Sequence, residues 1–357
     1  MKHSFLRTLA ATVSVTAVLV PIAGCSANDS AKGSGKDSAK IAFLMPDLAS
    51  TRYELYDAPL FKARMKELCG GCAVLYQNAG GDAAKQQQQA NSAIAQGAEA
   101  IVIDPVDSAA AVTTVRTAQA RGIPVIAYDR PIPRARADFY VSFDNEKIGA
   151  MIGRSLVDRL RKTSAKGGIL QVNGSPTDAA AGLIKKGIHR AVDSSGFDLL
   201  AEYDTPAWEP SKAQDWVSGQ ISKFPGRIAG VVAANDGTGG GAVAAFRAAG
   251  VKVPPVTGND AEAAAAQRIV SGDQYNTISK PIRTVARSAA EAAFALLQGE
   301  KPRGNATLFD TPSELFTPTV VTQDNIAKVL VGSGKPLKTA EVCTANYAAA
   351  CARLGIE

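Results

Sequence analysis

The chain has 357 residues, 46% of them hydrophobic and 20% charged, with 39 Lys and Arg against 33 Asp and Glu. Such a composition supplies core for about two globular domains and excludes a low-complexity or disordered chain. The formal charge of +6 is mild and dispersed, which argues against a nucleic-acid partner.

The first 24 residues read as an export leader. Lys2 and Arg7 form a positive start, an apolar run follows from Leu9 to Val20, and Ala23-Gly24 precede Cys25. The run is too short to cross a bilayer as a finished helix, which suits a removed signal segment. A cysteine directly after small residues resembles a bacterial lipobox, so cleavage before Cys25 and acylation of its thiol are expected. Loss of Lys2 and Arg7 with the leader lowers the net charge to about +4. A flexible tether, residues 25–39, is expected next, because Ser26 to Lys40 are only Ser, Ala, Gly, Lys, Asp and Asn with no large apolar side chain. No later segment is long and apolar enough to span a membrane.

From Lys40 onward, short β-branched runs alternate with Ala-rich helical stretches. The spacing predicts strands at Ile41–Met45, Ala73–Gln77, Ala100–Ile103, Pro124–Tyr128 and Phe139–Ser142, with helices at about 53–68, 83–96 and 109–121 between them. Gly97 and Gly122 fall where left-handed helix caps are wanted. Gln86–Gln89 lies on the second of these helices and reads as a solvated face. After Asn145 the rhythm restarts, with strands predicted at Gly168–Val172, Asp198–Glu202, Gly230–Ala233, Val256–Gly258 and Tyr275–Ser279. Helices are predicted at about 146–161, 179–193, 211–223, 239–249, 261–271 and 281–298. Alternation of this kind implies an α/β protein made of two doubly wound parallel sheets of similar size, each covered by helices.

Ligands of open α/β sheets bind beyond the carboxyl ends of the strands. Those positions here are polar: Asp47, Asp104 and Asp129-Arg130 in the first half; Ser175 to Asp178, Asn235-Asp236, Asn259-Asp260 and Lys280 in the second. Acceptors and planar donors of this sort suit the vicinal hydroxyls of a sugar, since each hydroxyl both donates and accepts. Arg52, Arg130 and Lys280 against Asp129, Asp178 and Asp260 make three positive and three negative charges, which fits a neutral ligand better than an anion. Tyr53 and Trp208 add aromatic faces on which sugar C–H groups can pack. Taken singly, strand-end Asp and Asn could equally cap the next helix.

Four cysteines remain after Cys25, an even number suited to an oxidising compartment. The pairing Cys69–Cys72 with Cys343–Cys351 is expected, although Cys69-Gly70-Gly71-Cys72 could also be a redox pair. The second pairing requires a bent segment, because eight residues of straight helix rise about 12 Å. No metal or cofactor is expected: His189 is the one histidine beyond the leader, and nothing places it near the thiols. Gly237 to Ala242 fits a dinucleotide-binding glycine pattern, but Asn235-Asp236 put polar side chains where a pyrophosphate needs bare backbone. No G-x-S-x-G elbow occurs, and His189 lies mid-helix, so catalysis finds little support.

The residues Ala127 to Arg130, Phe139 to Gly149, Asn173 to Asp178, Ala234 to Asp236, Gly258 to Ala261, Lys280 to Ile282 and Leu315 to Val320 carry a resemblance. Over residues 41–332 the chain resembles the type I periplasmic binding proteins, and within them the D-xylose binders of sugar ABC transporters. The resemblance implies two lobes joined by three hinge crossings near 143–146, 279–283 and 310–318. The first lobe would hold residues 40–144 and 281–312, the second 145–280 and 313–340, followed by a C-terminal tail, 341–357. It also implies pentose contacts from Arg52, Asp129, Arg130, Trp208, Asn235, Asp260 and Lys280. Two departures stand out. Ala179 and Ala180 replace asparagines that xylose binders carry after the Ser-Pro-x-Asp turn, and Ser279 stands where an aromatic residue often precedes the lysine. Fewer amides at the site favour a change of ligand within the sugar class.

The expected molecule is a monomeric lipoprotein on the outer face of the cell membrane, which binds a monosaccharide without turnover and delivers it to an ABC permease. Two other readings stay open on sequence alone: a sensory lipoprotein reporting to a membrane receptor, and a secreted doubly wound oxidoreductase.

Overall fold

The computed structural model describes residues 38–356. The leader, Cys25 and the tether as far as residue 37 lie outside the described residues.

Seven strands form the first sheet: β1 (Lys40–Met45), β2 (Ala73–Asn78), β3 (Ala100–Ile103), β4 (Val125–Tyr128), β5 (Phe139–Phe143), β10 (Ala306–Leu308) and β11 (Thr311–Phe316). Their spatial order is β10-β11-β5-β4-β3-β1-β2, and every pair is parallel except β10 with β11. The central strands β3, β4 and β5 are buried throughout, as expected for strands covered on both faces. Helices α2 (Ala83–Ala95) and α3 (Ala111–Gln119) close one face with Ala90, Ala93, Val115 and Ala118. Helices α1 (Ala58–Leu68) and α9 (Ile282–Leu297) close the other with Phe61, Met65, Val285 and Ala289. Chain order reverses between β1 and β3, so a crevice opens there at the carboxyl edge.

The second half repeats the winding on a smaller sheet. Strands β6 (Gly168–Asn173), β7 (Leu199–Asp204) and β8 (Ile228–Ala233) lie parallel in the order β7-β6-β8. Helices α4 (Asn145–Lys162), α5 (Ala179–Val192), α6 (Pro210–Lys223) and α7 (Asp236–Ala248) cover it, with α8 (Ala263–Ser271) beyond. The strand expected at Val256–Gly258 is reduced to a single parallel bridge, Val231 to Val256. Pro254 and Pro255 precede it, and without N–H groups they cannot extend a ladder. The last predicted strand shortens to β9 (Thr277–Ser279), which pairs antiparallel with β12 (Thr319–Val321).

Two expected boundaries are corrected. Strand β11 pairs with β5 through Phe316, so residues 313–316 stay with the first sheet instead of beginning the second lobe. The expected C-terminal tail, as far as residue 356, packs on the second half. Short helices α10 (Ile326–Val329), α11 (Thr339–Val342) and α12 (Ala348–Arg353) pack Val342, Ala350, Cys351 and Ile356 against Ile269, Val270 and Val321. The chain bends between α11 and α12, and a disulfide joins Cys343 to Cys351 with their Cα atoms 5.8 Å apart. A second disulfide joins Cys69 to Cys72, in the turn between α1 and β2.

The solvated reading of Gln86 is also corrected. This side chain is buried; its Nε2 donates to the Asp104 carbonyl and its Oε1 accepts from the Val106 N–H, which fixes the loop after β3. A helical glutamine run carries no periodic mark to show which member turns inward. Among the described residues no helix is long and apolar enough to cross a membrane, and no His, Cys, Asp or Glu group is arranged to hold a metal.

Helices α4 and α5 cross at glycine. A Cβ at Gly149 would lie 1.9 Å from the Ile184 carbonyl oxygen, and one at Gly187 would lie 2.0 Å from that of Glu146. Backbone meets backbone here, so neither neighbour can yield as a flexible side chain would. Gly187→Ala should therefore cost about 1–3 kcal/mol by overpacking, read as a lower urea midpoint. Gly182→Ala on the same helix, where a Cβ meets nothing within 4 Å, should be neutral or stabilising by up to about 1 kcal/mol.

Candidate functional site

The turn after β1 does not enter an α-helix directly. Residues Tyr53–Asp57 wind as one π-helical turn before α1 begins. A π-turn brings positions five apart together, and here it lets Arg52 fork onto Asp57. Nε lies 3.1 Å from Oδ2 and Nη2 lies 2.7 Å from Oδ1. The remaining nitrogen, Nη1, faces the gap, 3.2 Å from Asp129 Oδ2 and 3.9 Å from Asp260 Oδ1.

Arg130 occupies the switch point of the first sheet. It follows β4, and its guanidinium reaches Asp47 after β1 at 2.8 Å and Asp104 after β3 at 3.3 Å. It also donates to the Pro105 carbonyl and to the Tyr53 hydroxyl, and its Nε stands 3.2 Å from Asp178 of the second half. Trp208 donates its Nε1–H to the same Asp178 oxygen at 3.0 Å. Its indole packs closely on the backbone after β6: a Cβ at Gly174 would come within 2.1 Å of the ring.

On the opposite rim, Asp178 and Asn235 each cap a helix and face the gap. Asp178 accepts from the Ala180 N–H, and Asn235 Oδ1 accepts from the Thr238 N–H. Capping and lining are thus compatible, because a cap occupies only part of each side chain's capacity. Lys280, between β9 and α9, reaches Asp260 at 2.6 Å and Asp129 at 3.9 Å.

The nine residues read from sequence, Arg52, Tyr53, Asp129, Arg130, Asp178, Trp208, Asn235, Asp260 and Lys280, all line one cavity. Eight of them are buried, and the Asp260 side chain is only 8% exposed. The lining is balanced at three cations and three carboxylates. Burial pushes the Asp129 carboxyl up, but Arg52, Lys280 and Arg130 outweigh it and bring it down to about 2. Burial likewise opposes the Lys280 charge, and Asp260 with Asp129 more than restores it. Asp104 differs: burial dominates over Arg130 and holds its carboxyl well above the usual range.

Backbone strain concentrates at the same place. Asp129 (φ 57°), Trp208 (φ 59°) and Asp260 (φ 105°) are non-glycine residues with positive φ. Each such residue costs about 1–3 kcal/mol and persists where the surroundings over-determine it. Tyr140 and Ser142 hold the Asp129 carbonyl with two hydrogen bonds of 2.8 Å, which supplies that restraint.

Five further residues line the cavity that were not among these nine: Ser50, Asn145, Ala180, Ile184 and Asn259. Ala180 and Ile184, one turn apart on α5, put an apolar patch into an otherwise polar wall. Asn259 carried a signal, its place beside Asp260 at a strand end. The anchoring role of Asp57 carried none, since a spacing of five has no meaning on an α-helix. The two halves also touch at the mouth, where Ser108 N–H donates to the Thr177 carbonyl and Ala179 N–H donates to Ser108 Oγ.

Comparison with known proteins agrees with this architecture. The profile of a periplasmic binding protein domain matches residues 41–301. The D-xylose-binding periplasmic protein of Escherichia coli is 34% identical over 305 residues, covering 83% of this chain and 90% of that one. Its namesake in Haemophilus influenzae is 32% identical, covering 90% and 97%. Among solved structures, an ABC transporter solute-binding protein of Clostridium phytofermentans with bound β-D-glucose superposes with a TM-score of 0.76 at 26% identity, covering 85% of this chain and 99% of that one. Paired carboxyl-edge rims, three crossings between the halves and this likeness agree: the chain belongs to the periplasmic binding protein family and has its type I fold.

Proposed function

We propose that the chain is the solute-binding component of a sugar ABC importer. It takes a neutral monosaccharide, D-xylose or a close relative, between its two halves and passes it to the permease without chemical turnover. One observation carries this reading: a cavity at the carboxyl edges of both sheets, lined by balanced buried charges and walled by an indole. The relatives named for D-xylose support it, as does the glucose-bound structure. Arg52, Asp129 and Arg130 offer hydrogen bonds from the first half, Asn235 and Asp260 from the second, and Trp208 packs on ring C–H groups. The gap is only about 30 Å³, so a sugar enters when the halves part and is sealed when they close.

The anchor belongs to the same proposal. Acylation of Cys25 after removal of residues 1–24 would hold a monomeric binding protein on the outer face of the membrane, beside its permease. Palmitate labelling of the wild type, absent in Cys25→Ser, is the expected result.

Stability also links to pH. Glu262 stands at the N-cap position of α8, two residues after the cavity residue Asp260. Burial foremost, then Asp260, push its carboxyl up to about 7. An unfolded glutamate titrates near about 4.3, so above that value the unfolded chain has lost a proton that the folded chain keeps. The contribution of this group to stability is therefore full below about pH 4 and is lost as pH rises through about 7. Asp236, raised to about 8 by burial and by Glu262, acts in the same direction.

Two outcomes are expected. In calorimetry against a panel of pentoses and hexoses, at least one neutral monosaccharide binds, and Asp129→Ala weakens that binding by about 100-fold or more. No heat with any sugar refutes the reading. In thermal unfolding from about pH 5 to about pH 8, the melting temperature falls, and it falls less in Glu262→Gln.

A further inference from the structure

The side-chain amide of Asn259 is 2% exposed and lines the cavity, yet it makes no hydrogen bond to any described residue. Its Oδ1 is sealed from solvent, and it is the one such unpartnered oxygen in the lining among the described residues. The turn does not need this side chain. The backbone carbonyl of Asn259 accepts from the Asp236 N–H at 2.9 Å, and the flanking Asp260 N–H donates to Ile278 at 3.1 Å. Gly258 presses the segment against its neighbours: a Cβ there would lie 2.0 Å from Asp236 Oδ1 and 2.4 Å from Gln274 Nε2. Asn259 is therefore held rigidly, with donor and acceptor both unused.

Buried polar groups are nearly always paired, and one left unpaired has an explanation in strain, water or ligand. An amide offers one acceptor and one donor group, the complement of a hydroxyl, which donates and accepts at a single oxygen. We propose that Asn259 is a ligand-binding residue whose Oδ1 accepts the hydrogen of one sugar hydroxyl. This selects for a sugar that carries that hydroxyl over an analogue that lacks it. The inference rests on the reading of the cavity as a sugar site, and it adds a specificity-determining contact next to Asp260.

The test is a calorimetric cycle with D-xylose and its monodeoxy derivatives on the wild type, Asn259→Ala and Asn259→Leu. The leucine variant, of similar volume, separates a lost hydrogen bond from a packing defect. Both variants should bind D-xylose about 10-fold or more weakly. Their ligand-free melting temperature should match or exceed that of the wild type, because the amide has no partner to lose. One monodeoxy derivative should lose a similar factor on the wild type and little further on either variant. Wild-type affinity in both variants overturns the inference while leaving the sugar site intact. Absence of any monosaccharide binding by the wild type overturns the site reading itself, and this inference with it.

Discussion

The controlling constraint is the removal of charge from water between two halves of one chain. Arg52, Asp129, Lys280 and Asp260 meet in the gap, two cations against two carboxylates, drawn from both sides. Ions so buried are costly unless each finds a partner of opposite sign and hydrogen bonds for what remains. The outer anchors meet that need. Asp57 holds Arg52 from behind, while Asp47 and Asp104 hold Arg130. The side chains that face the gap are consequently fixed, yet each keeps some bonding capacity unused.

Rigidity is imposed by local geometry as well as by charge. The π-turn at Tyr53–Asp57 aims Arg52, and positive φ aims Asp129, Trp208 and Asp260. Such strain costs stability at each position, and the hydrophobic clusters beneath the rims supply it. Close helix crossings do the same for α5, which brings Asp178, Ala180 and Ile184 to the wall. The apolar patch formed by Ala180 and Ile184 leaves one side of the cavity without a hydrogen-bonding partner. That side suits ring C–H groups, whereas Asn259 and Asp260 suit hydroxyls.

Much of this was legible in the sequence, because it follows from repeating patterns. Strand and helix periods placed the carboxyl ends, and the polar residues found there are the ones that converge. What escaped depends on features without a period. Two prolines cut the strand at Val256 to a bridge, one member of a glutamine run turned inward, and strand β11 kept its pairing to Phe316. The C-terminal segment looked like a tail because most of its apolar residues are alanine and its larger ones are scattered. A disulfide between Cys343 and Cys351 and a shared core hold it in place. Asp57 escaped for another reason, since its role depends on a rare helical turn; Asn259 stood among the strand-end polar residues, but nothing in the sequence marks its amide as unpaired.

The central claim is that balanced buried charge selects a neutral, hydroxyl-bearing ring. A ligand carrying its own charge would leave one ion of the set without a partner, at a cost of several kcal/mol. Calorimetric titration of D-xylose beside its acid, D-xylonate, at neutral pH tests this most directly. The neutral sugar should bind and the acid should bind about 100-fold more weakly or not at all. Equal or tighter binding of the acid would contradict the claim.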